Sequence, residues 1–295
     1  MTPAERRSVV GLLVGVAIGV AVAAAGSQHG VTVAGWPVFA VCAALSFAIN
    51  WLVYVPSFIR QTEHYFDLTG SLTYVTVVVT ALVLSGAMDA RALLLAALVV
   101  VWAGRLGSFL FARIRRDGRD GRFDALKPDP LRFLLTWTLQ GVWVLLTVAP
   151  ALAAMTAVQP RPLDLLAALG LTVWAIGFGI EVVADRQKRE FRRRPGNRGR
   201  FITTGLWAWS RHPNYFGEIT LWTGVALLAA PALRGWQYVT LVSPLFVYLL
   251  LTRVSGIPLL EARAEERWGS DPDYRAYRDR TPSLFLRPPR ATADS

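Results

Sequence analysis

The chain has 295 residues, of which 54% are hydrophobic and only 17% are charged, and its mean hydropathy is +0.40. Soluble domains carry about 25% charged residues, so this composition excludes an ordinary soluble protein, and the aliphatic and aromatic content excludes a disordered chain. The lone cysteine, Cys42, excludes a disulfide framework and multi-cysteine metal sites. The net charge of +11 is almost all arginine and is compatible with nucleic acid, an anionic membrane surface or a phosphorylated ligand.

Apolar stretches of about 20 residues, enough to cross a bilayer, recur along the whole chain. They predict an all-α polytopic membrane bundle with seven or eight transmembrane helices, of which the seventh is the shortest. The predicted spans are 9–26, 36–59, 68–86, 92–114, 131–155, 163–184, 215–230 and 236–256. In the first span, Gly11, Gly15 and Gly19 predict close helix packing. The same span has features of a signal peptide, and its cleavage would leave seven helices in the same orientation.

The basic residues orient this bundle. With a cytoplasmic N-terminus, inward segments hold 27 of the 31 basic residues, and outward loops hold only Arg91, Arg161 and Arg234. Cytoplasmic loops of membrane proteins carry such an excess of positive charge. The sequence therefore predicts that both termini are cytoplasmic, in a bacterial inner membrane.

Charged and polar side chains in or beside the spans mark a candidate substrate site, because burying charge in a membrane is costly. Glu63 and Asp67 lie four residues apart after the second span and share a face if the segment is helical. A buried carboxylic acid can donate a hydrogen bond to a carbonyl, whereas a solvated helix end is the alternative. Arg105 and Glu181 lie within spans, where they form either a packing pair or, with Gln140, the lining of a cytoplasm-facing cavity.

The segment over 184–222 has the most specific pattern in the chain, ADRQKREFRRRPGNRGRFITTGLWAWSRHPNYFGEITLW. Arginine binds phosphate in a bidentate geometry, and Pro213 suits a helix N-terminus, where anions bind. Glu218, one turn later, can accept a hydrogen bond from a ribose or an amide. The segment therefore predicts a phosphate-bearing ligand, not a nucleic-acid surface. The sequence lacks a metal-ligand spacing, a nucleophile elbow and a Rossmann fingerprint.

The motif GLWAWSRHPNYFGEITLWTG, with its flanks EVVADRQKREFRRRPGNRGRF and VSGIPLLEARAEERWGSDPDYRAYRDRTP, resembles the C-terminal domain of the steroid 5-alpha-reductase family. The similarity is to the bacterial multi-span branch; it covers roughly the last 120 residues and reaches back more weakly to Gln61. The resemblance implies an NADPH-dependent membrane reductase that transfers hydride to an activated C=C bond. Its substrate would be a sterol-like or other lipid that enters from the bilayer, among the membrane lipids.

The resemblance also implies two sets of site residues and no metal. The implied catalytic acid at the substrate carbonyl is Glu63 or Asp67. Trp102 occupies the position where the family has a tyrosine, and Tyr74 is the candidate to take over the role of that tyrosine. The predicted cofactor-binding residues, of which the resemblance implies Asp185, Arg192, Arg200, Asn214, Gly217 and Glu218, are Arg105, Asp185, Arg192, Arg200, Trp207, Arg211, His212, Asn214, Tyr215, Gly217, Glu218 and Glu261.

The region around Arg211–Tyr215 also resembles isoprenylcysteine and phospholipid methyltransferases, which bind S-adenosylmethionine and have a Glu-containing tail element comparable to the one at Glu261. The DRQK segment and Phe216-Gly217-Glu218 favour the reductase. A non-enzymatic transporter or scaffold is a third interpretation. We divide the chain into N-terminal helices (1–60), a substrate-side region (61–160) and a cofactor-binding region (161–295) whose site faces the cytoplasm. The sequence indicates no oligomeric state.

Overall fold

A computed structural model of the chain describes residues 1–117 and 121–289, without the side chains of 109–117 and 122. Most of the described residues are helical, and the strands among them form one short antiparallel hairpin of β1 (Thr32–Val33) and β2 (Trp36–Pro37). The helices are α1 (Pro3–Gly26), α2 (Val38–Ile59), α3 (Phe66–Ser85), α4 (Ala90–Asp117), α5 (Pro130–Met155), α6 (Leu165–Arg193), α7 (Pro213–Ala229), α8 (Ser243–Leu249), α9 (Ile257–Trp268) and α10 (Pro272–Arg280). The predicted all-α architecture is confirmed.

Seven helical segments of the described chain are long and apolar enough to cross a membrane. Six of them are α1 to α6, and the seventh is the segment Gly235–Trp268, which includes α8 and α9 and is interrupted by a bend at Ser255 and Gly256. The predicted seventh span corresponds to α7, which has 17 residues. The chain is therefore an integral membrane protein built as a polytopic helical bundle.

Polar residues at the helix starts satisfy backbone N–H groups that have no partner within the helix. At α1, Thr2 and Glu5 form a reciprocal capping box. Asp129 caps α5 and is followed by Pro130, and Asp271 caps α10 in the same way. The starts of these three helices are thus encoded locally.

The chain divides into two compact units. Unit 1 contains Met1–Ala168 and Val225–Ser243, and unit 2 contains Leu169–Gly224 and Pro244–Ser295. In unit 1, α5 is the central helix, since it packs against α1, α2, α3 and α4. In its most apolar stretch 78% of residues are buried, against 22% in α1.

The glycines of α1 form the close-packed face that the sequence predicts. A Cβ atom at Gly11 would lie 3.1 Å from Leu135 of α5, and one at Gly19 would lie 2.5 Å from the Phe47 ring of α2. Gly15 faces α5 between these two contacts. Because helix association in a bilayer depends on close van der Waals packing, these glycines hold α1 against the rest of unit 1.

Arg91, at the start of α4, is an interior anchor of unit 1 and is only 2% exposed. Its guanidinium donates to the carbonyls of Arg161 (3.2 Å), Pro162 (2.6 Å) and Leu228, and it forms an ion pair with Asp164 at 3.2 Å. A buried cation needs such partners to offset its lost hydration. Arg91 therefore ties α4 to the segment after α5 and to the end of α7.

In unit 2, helices α6 and α7 touch backbone to backbone through glycines. A Cβ atom at Gly177 would lie 2.6 Å from the carbonyl oxygen of Gly217, and closer still to the backbone nitrogen of Leu221. A Cβ atom at Gly224 would lie 2.5 Å from the backbone nitrogen of Trp174. A Cβ atom at Gly217 would likewise lie 2.6 Å from the carbonyl oxygen of Gly177. Only hydrogen atoms fit at these three positions, so the glycines determine how α6 and α7 cross.

The substitution Gly177→Ala should weaken this crossing, because the new methyl group has no room against α7. Overpacking of this kind costs about 1–3 kcal/mol of unfolding free energy, and we expect a lower midpoint of thermal unfolding in detergent, followed by circular dichroism.

The matched control is Gly179→Ala, two residues along the same helix, where a Cβ atom would meet nothing within 4 Å. This variant should be neutral or more stable by up to about 1 kcal/mol, since alanine favours helix more than glycine does. Equal midpoints for the two variants would contradict the crossing described for α6 and α7.

Candidate functional site

The end of α6 holds a short helical turn, Gly205–Ala208, in place. Trp207 of this turn is 3% exposed, and its Nε1 donates to the carbonyl of Ala184 at 3.0 Å. The ammonium of Lys188 lies 4.3 Å from the centre of the Trp207 ring, in a cation–π contact. Gln187 accepts a hydrogen bond from the backbone of Leu206 at 2.9 Å. Trp207 thus has a packing role that the sequence does not reveal, while its predicted role in cofactor binding stays a prediction.

Glu261 of α9 binds the two consecutive residues that precede α7. Its Oε2 accepts a hydrogen bond from Arg211 at 2.7 Å, and its Oε1 lies 2.9 Å from Nε2 of His212. Because a carboxylate only accepts hydrogen bonds, this geometry assigns the proton to Nε2 and leaves Nδ1 as the acceptor nitrogen. The sequence places Glu261 and Arg211 fifty positions apart, and the structure brings them together.

Burial is the largest influence on His212, which is 7% exposed, and it lowers the pKa of this histidine below its ordinary value. The Glu261 carboxylate opposes that shift, whereas the charges of Lys188 and Arg211 reinforce it. His212 is therefore a neutral imidazole near pH 7.

The C-terminal segment 282–287 runs along the residues just before α7. The backbone N–H of Arg211 donates to the carbonyl of Pro282 at 2.9 Å, and that of Arg287 donates to the carbonyl of Trp209 at 3.0 Å. The hydroxyl of Tyr277, on α10, donates to the carbonyl of Trp207 at 2.6 Å. The tail therefore holds the loop in front of α7 through main-chain hydrogen bonds, which a search for chemical motifs does not find.

At the start of α7, the predicted cofactor-binding residues take two different roles. Asn214 and Glu218 are four residues apart and half-buried, so they share one helical face. Gly217 contacts the backbone of α6, as described above, and the Tyr215 ring stacks on His212 at 5.7 Å with an interplanar angle of 12°. The face that carries Asn214 and Glu218 is the part of α7 with polar groups that a ligand could use.

The segment 185–211 gives this part of unit 2 a strong positive charge. It contains nine basic residues and two acidic ones, Asp185 and Glu190, and Glu190 is paired with Arg186 at 2.8 Å. The side chains of Arg192 and Arg200 are exposed. Cationic side chains next to a helix N-terminus are the groups that phosphates bind, so the donor set of unit 2 fits a phosphate-bearing cofactor.

In unit 1, the predicted acid Glu63 is 4% exposed and already has a cationic partner. Nζ of Lys127 lies 2.7 Å from the Glu63 carboxylate and 3.2 Å from that of Asp124. Burial acts to lower the pKa of Lys127, but these hydrogen bonds and charges outweigh it and raise that pKa above its ordinary value. Asp67 lies in the first turn of α3 and is half-buried.

The structure also brings Tyr74 and Trp102 into contact. Their rings, on α3 and α4, meet edge to face at 5.2 Å with an interplanar angle of 87°. Arg105 lies one turn after Trp102 on α4, and Gln140 of α5 donates to the carbonyl of Phe66 at 2.9 Å. Unit 1 thus holds the predicted substrate-side residues and Arg105, and unit 2 holds the remaining predicted cofactor residues.

Lys127 and Lys188 are the functional candidates that motif analysis missed. One neutralises Glu63, and the other sits over Trp207. A signal was present, since they are the only lysines among 31 basic residues. A lysine at these positions supplies a compact ammonium, which arginine does not.

Comparison with known proteins places the chain in a family. Residues 53–281 match the model of the family described as "Protein of unknown function (DUF1295)", and the chain belongs to that family. The predicted resemblance to the steroid 5-alpha-reductase C-terminal domain is confirmed at this level. No solved structure matches the chain.

Three curated relatives show partial similarity. The chain is 37% identical over 70 residues to the bovine (Bos taurus) 3-oxo-5-alpha-steroid 4-dehydrogenase 1, and 35% identical over 69 residues to the probable O-methyltransferase ustE of Ustilaginoidea virens. These matches cover 23% of this chain and 26% and 24% of the two relatives. An uncharacterized protein of Schizosaccharomyces pombe is 25% identical over 230 residues, which is 67% of this chain and 64% of the relative. The similarity therefore reaches both an oxidoreductase and a methyltransferase.

The substitution Lys127→Met should destabilise the protein, because it removes the ammonium group that lies 2.7 Å from the buried Glu63 carboxylate. Removal of one partner of a buried pair costs about 3–5 kcal/mol, and we expect a clear fall in the thermal midpoint in detergent. The double variant Glu63→Gln/Lys127→Met should recover part of the loss. Glu63→Gln is measured alone as well. If the losses of stability in Glu63→Gln and Lys127→Met add up to the loss in the double variant, the pair does not contribute as the geometry indicates.

The pH dependence of stability should report on His212. Because the folded protein holds the pKa of His212 below its ordinary value of 6.5, its contribution to stability is fully present above that pH and is lost as the pH falls. We expect the thermal midpoint of the wild type to drop more steeply between about pH 7.5 and 5.5 than that of His212→Gln. His29→Gln, at an exposed histidine, serves as the control. Parallel slopes for the wild type and His212→Gln would be the contrary result.

Proposed function

We propose that the protein is a membrane-embedded NADPH-dependent reductase that acts on an activated C=C bond of a lipid substrate. The observation that carries this proposal is the charge of unit 2, where nine basic residues and two acidic ones lie over 185–211, directly before the N-terminus of α7. NADPH carries a pyrophosphate and a 2′-phosphate, whereas S-adenosylmethionine carries a sulfonium cation and no phosphate. A strongly cationic site therefore favours the dinucleotide.

Different residues of unit 2 bind different groups of the cofactor. Arg192 and Arg200, with exposed guanidinium groups, bind phosphate, and Asn214 and Glu218 bind polar groups of the cofactor on one face of α7. When bound, NADPH supplies the hydride. The similarity to the bovine steroid dehydrogenase over 70 residues supports this chemistry.

On the substrate side, we assign to Asp67 the hydrogen bond to the acceptor carbonyl. Asp67 is half-buried in the first turn of α3, whereas Glu63 is 4% exposed and lies 2.7 Å from Nζ of Lys127. The buried rings of Tyr74 and Trp102 pack edge to face between α3 and α4, and we assign them to the inner side of the site for an apolar lipid. Polarisation of the carbonyl would stabilise the negative charge that develops on its oxygen when hydride reaches the β-carbon.

The orientation of the bundle follows from its charge. We propose that the basic segment 185–211 faces the cytoplasm of a bacterial cell, where NADPH is available, because cytoplasmic loops of membrane proteins usually carry an excess of basic residues and this segment contains nine.

A methyltransferase is the second candidate. The similarity to ustE over 69 residues supports S-adenosylmethionine as the ligand. The charge of unit 2 adds no support for this ligand. The two candidates differ in the nucleotide that the purified protein binds.

The deciding experiment measures nucleotide binding by the detergent-purified chain. We expect NADPH to co-purify, detected by mass spectrometry, and to quench tryptophan fluorescence on titration, whereas S-adenosylmethionine should do neither. Asn214→Ala and Glu218→Ala should each weaken NADPH binding at least about tenfold, since each loses a hydrogen bond worth about 1.4 kcal/mol or more. Both variants should keep the wild-type circular dichroism spectrum.

Glu266→Ala, at an exposed carboxylate of α9, is the matched control and should bind NADPH like the wild type. Undiminished NADPH affinity after both Asn214 and Glu218 are changed to alanine would refute the site. Binding of S-adenosylmethionine without NADPH would instead establish the methyltransferase.

A further inference from the structure

Unit 1 contains a polar cavity at the end where α1 and α5 finish. Its volume is about 220 Å³, and its polar lining residues are His29, Gln159, Arg234 and Gln237. Helix α2 begins near this end and finishes just before Glu63, so the cavity lies at the opposite end of α2 from the proposed substrate-side carboxylates. None of its residues takes part in the proposed reductase site.

Hydrogen bonds hold the polar walls of the cavity in place. The Arg234 guanidinium donates to Gln159 Oε1 at 2.6 Å. Both the oxygen and the nitrogen of the Gln237 side-chain amide form hydrogen bonds. Its oxygen accepts from the backbone of Arg234 at 3.0 Å, and its nitrogen donates to the carbonyl of Gly26 at 3.2 Å. Since Gln237 is fully buried, the cavity has an ordered floor.

Two residues around the cavity have left-handed backbone conformations. His29 has a φ of 52°, uncommon for a residue other than glycine, and Gly235 also has a φ of 52°. The carbonyl of His29 accepts from the backbone of Val158 at 3.1 Å, and the side chain of Gln28 accepts from Trp236 at 2.9 Å. The loops after α1, after α5 and before α8 are thereby tied to one another around the opening.

The lining has a positive charge, which Arg234 provides. It contains an arginine and a histidine, and no carboxylate lines it. Within the described part of the chain, Arg234 forms no ion pair. Arg234 is also one of only three basic residues in the loops predicted to face outward. One of the others, Arg91, already forms hydrogen bonds within unit 1. An arginine retained in such a loop and directed to a cavity fits an oxyanion, which guanidinium binds in a bidentate geometry.

Size and surroundings narrow the ligand. Pockets for drug-sized molecules have about 300–1,000 Å³, so 220 Å³ suits a phosphate group with a short substituent better than a sterol or a dinucleotide. Trp36 and Trp236, near the same end of unit 1, are 69% and 65% exposed. Tryptophan is enriched at the level of lipid headgroups, which puts the cavity at that depth of the bilayer.

We propose that this cavity binds a phosphate-bearing group on the non-cytoplasmic side of the membrane, supplied by a phospholipid headgroup or by free phosphate. Arg234 is the principal contact, Gln159 orients it, and His29 contributes a further N–H donor.

The test uses the full chain, purified in a neutral detergent and stripped of lipid. The midpoint of thermal unfolding is measured with inorganic phosphate, with a short-chain phosphatidylglycerol, and with chloride at equal ionic strength. We expect a rise of a few degrees with one or both phosphate compounds and none with chloride. Arg234→Gln should lose the rise, and Arg234→Lys, which keeps the charge but not the planar fork, should retain part of it. Arg161→Gln, at another outward arginine that does not line the cavity, is the matched control and should behave as the wild type.

A rise with inorganic phosphate identifies a free oxyanion as a sufficient ligand, and a rise with phosphatidylglycerol alone identifies the lipid headgroup; both support the site. The proposal is overturned if neither compound raises the wild-type midpoint, or if the rise is the same in Arg234→Gln as in the wild type. The second outcome would indicate a general salting effect of phosphate on stability.

Discussion

The backbone contact between α6 and α7 is the constraint on which the candidate cofactor site depends. In a bilayer, two helices gain little from burying apolar surface against each other, so their association relies on close approach. Gly177, Gly217 and Gly224 permit that approach, because a methyl group at any of them would overlap the partner backbone. Once Gly217 faces α6, the rotation of α7 about its own axis is determined. Asn214 and Glu218 must then lie together on a different face, which is the arrangement that a shared ligand requires.

The arginine content of the chain serves several physical purposes. Most basic residues lie in segments that the sequence predicts to be cytoplasmic, as the usual excess of positive charge in cytoplasmic loops leads us to expect. Arg91 is instead an interior anchor that satisfies carbonyl groups in unit 1, and Arg211 is bound by Glu261. Of the two lysines, Lys127 is paired with Glu63 and Lys188 lies over the Trp207 ring. The net charge of the whole chain therefore does not separate orientation, stability and ligand binding, which depend on where each cation lies and what it contacts.

The family relationship and the candidate site give different information: the similarity reaches two classes of enzyme, whereas the charge of the site bears on which cofactor is bound. Similarity to a steroid dehydrogenase and to an O-methyltransferase over about 70 residues each is partial and does not distinguish hydride transfer from methyl transfer. The distinction rests on electrostatics, because the two cofactors differ in charge. A framework that binds an adenine-containing cofactor at a membrane helix can support either chemistry, and the excess of cations over 185–211 is the feature of this chain that favours a phosphorylated one.

The sequence by itself determined the features that depend on composition and short-range pattern. Apolar length predicted the membrane helices, the small-residue spacing of α1 predicted its packing face, and the motif ending at Glu218 predicted the family. The tertiary structure decided what depends on contacts between distant positions. It paired Glu63 with Lys127, joined Arg211 and His212 to Glu261, and gave Gly217 a packing contact. No spacing rule could supply these, because a partner 50 or 64 positions away along the chain is selected by how helices cross and not by local propensity. For the same reason the cavity around Arg234 emerged only in three dimensions, since three separate loops build it.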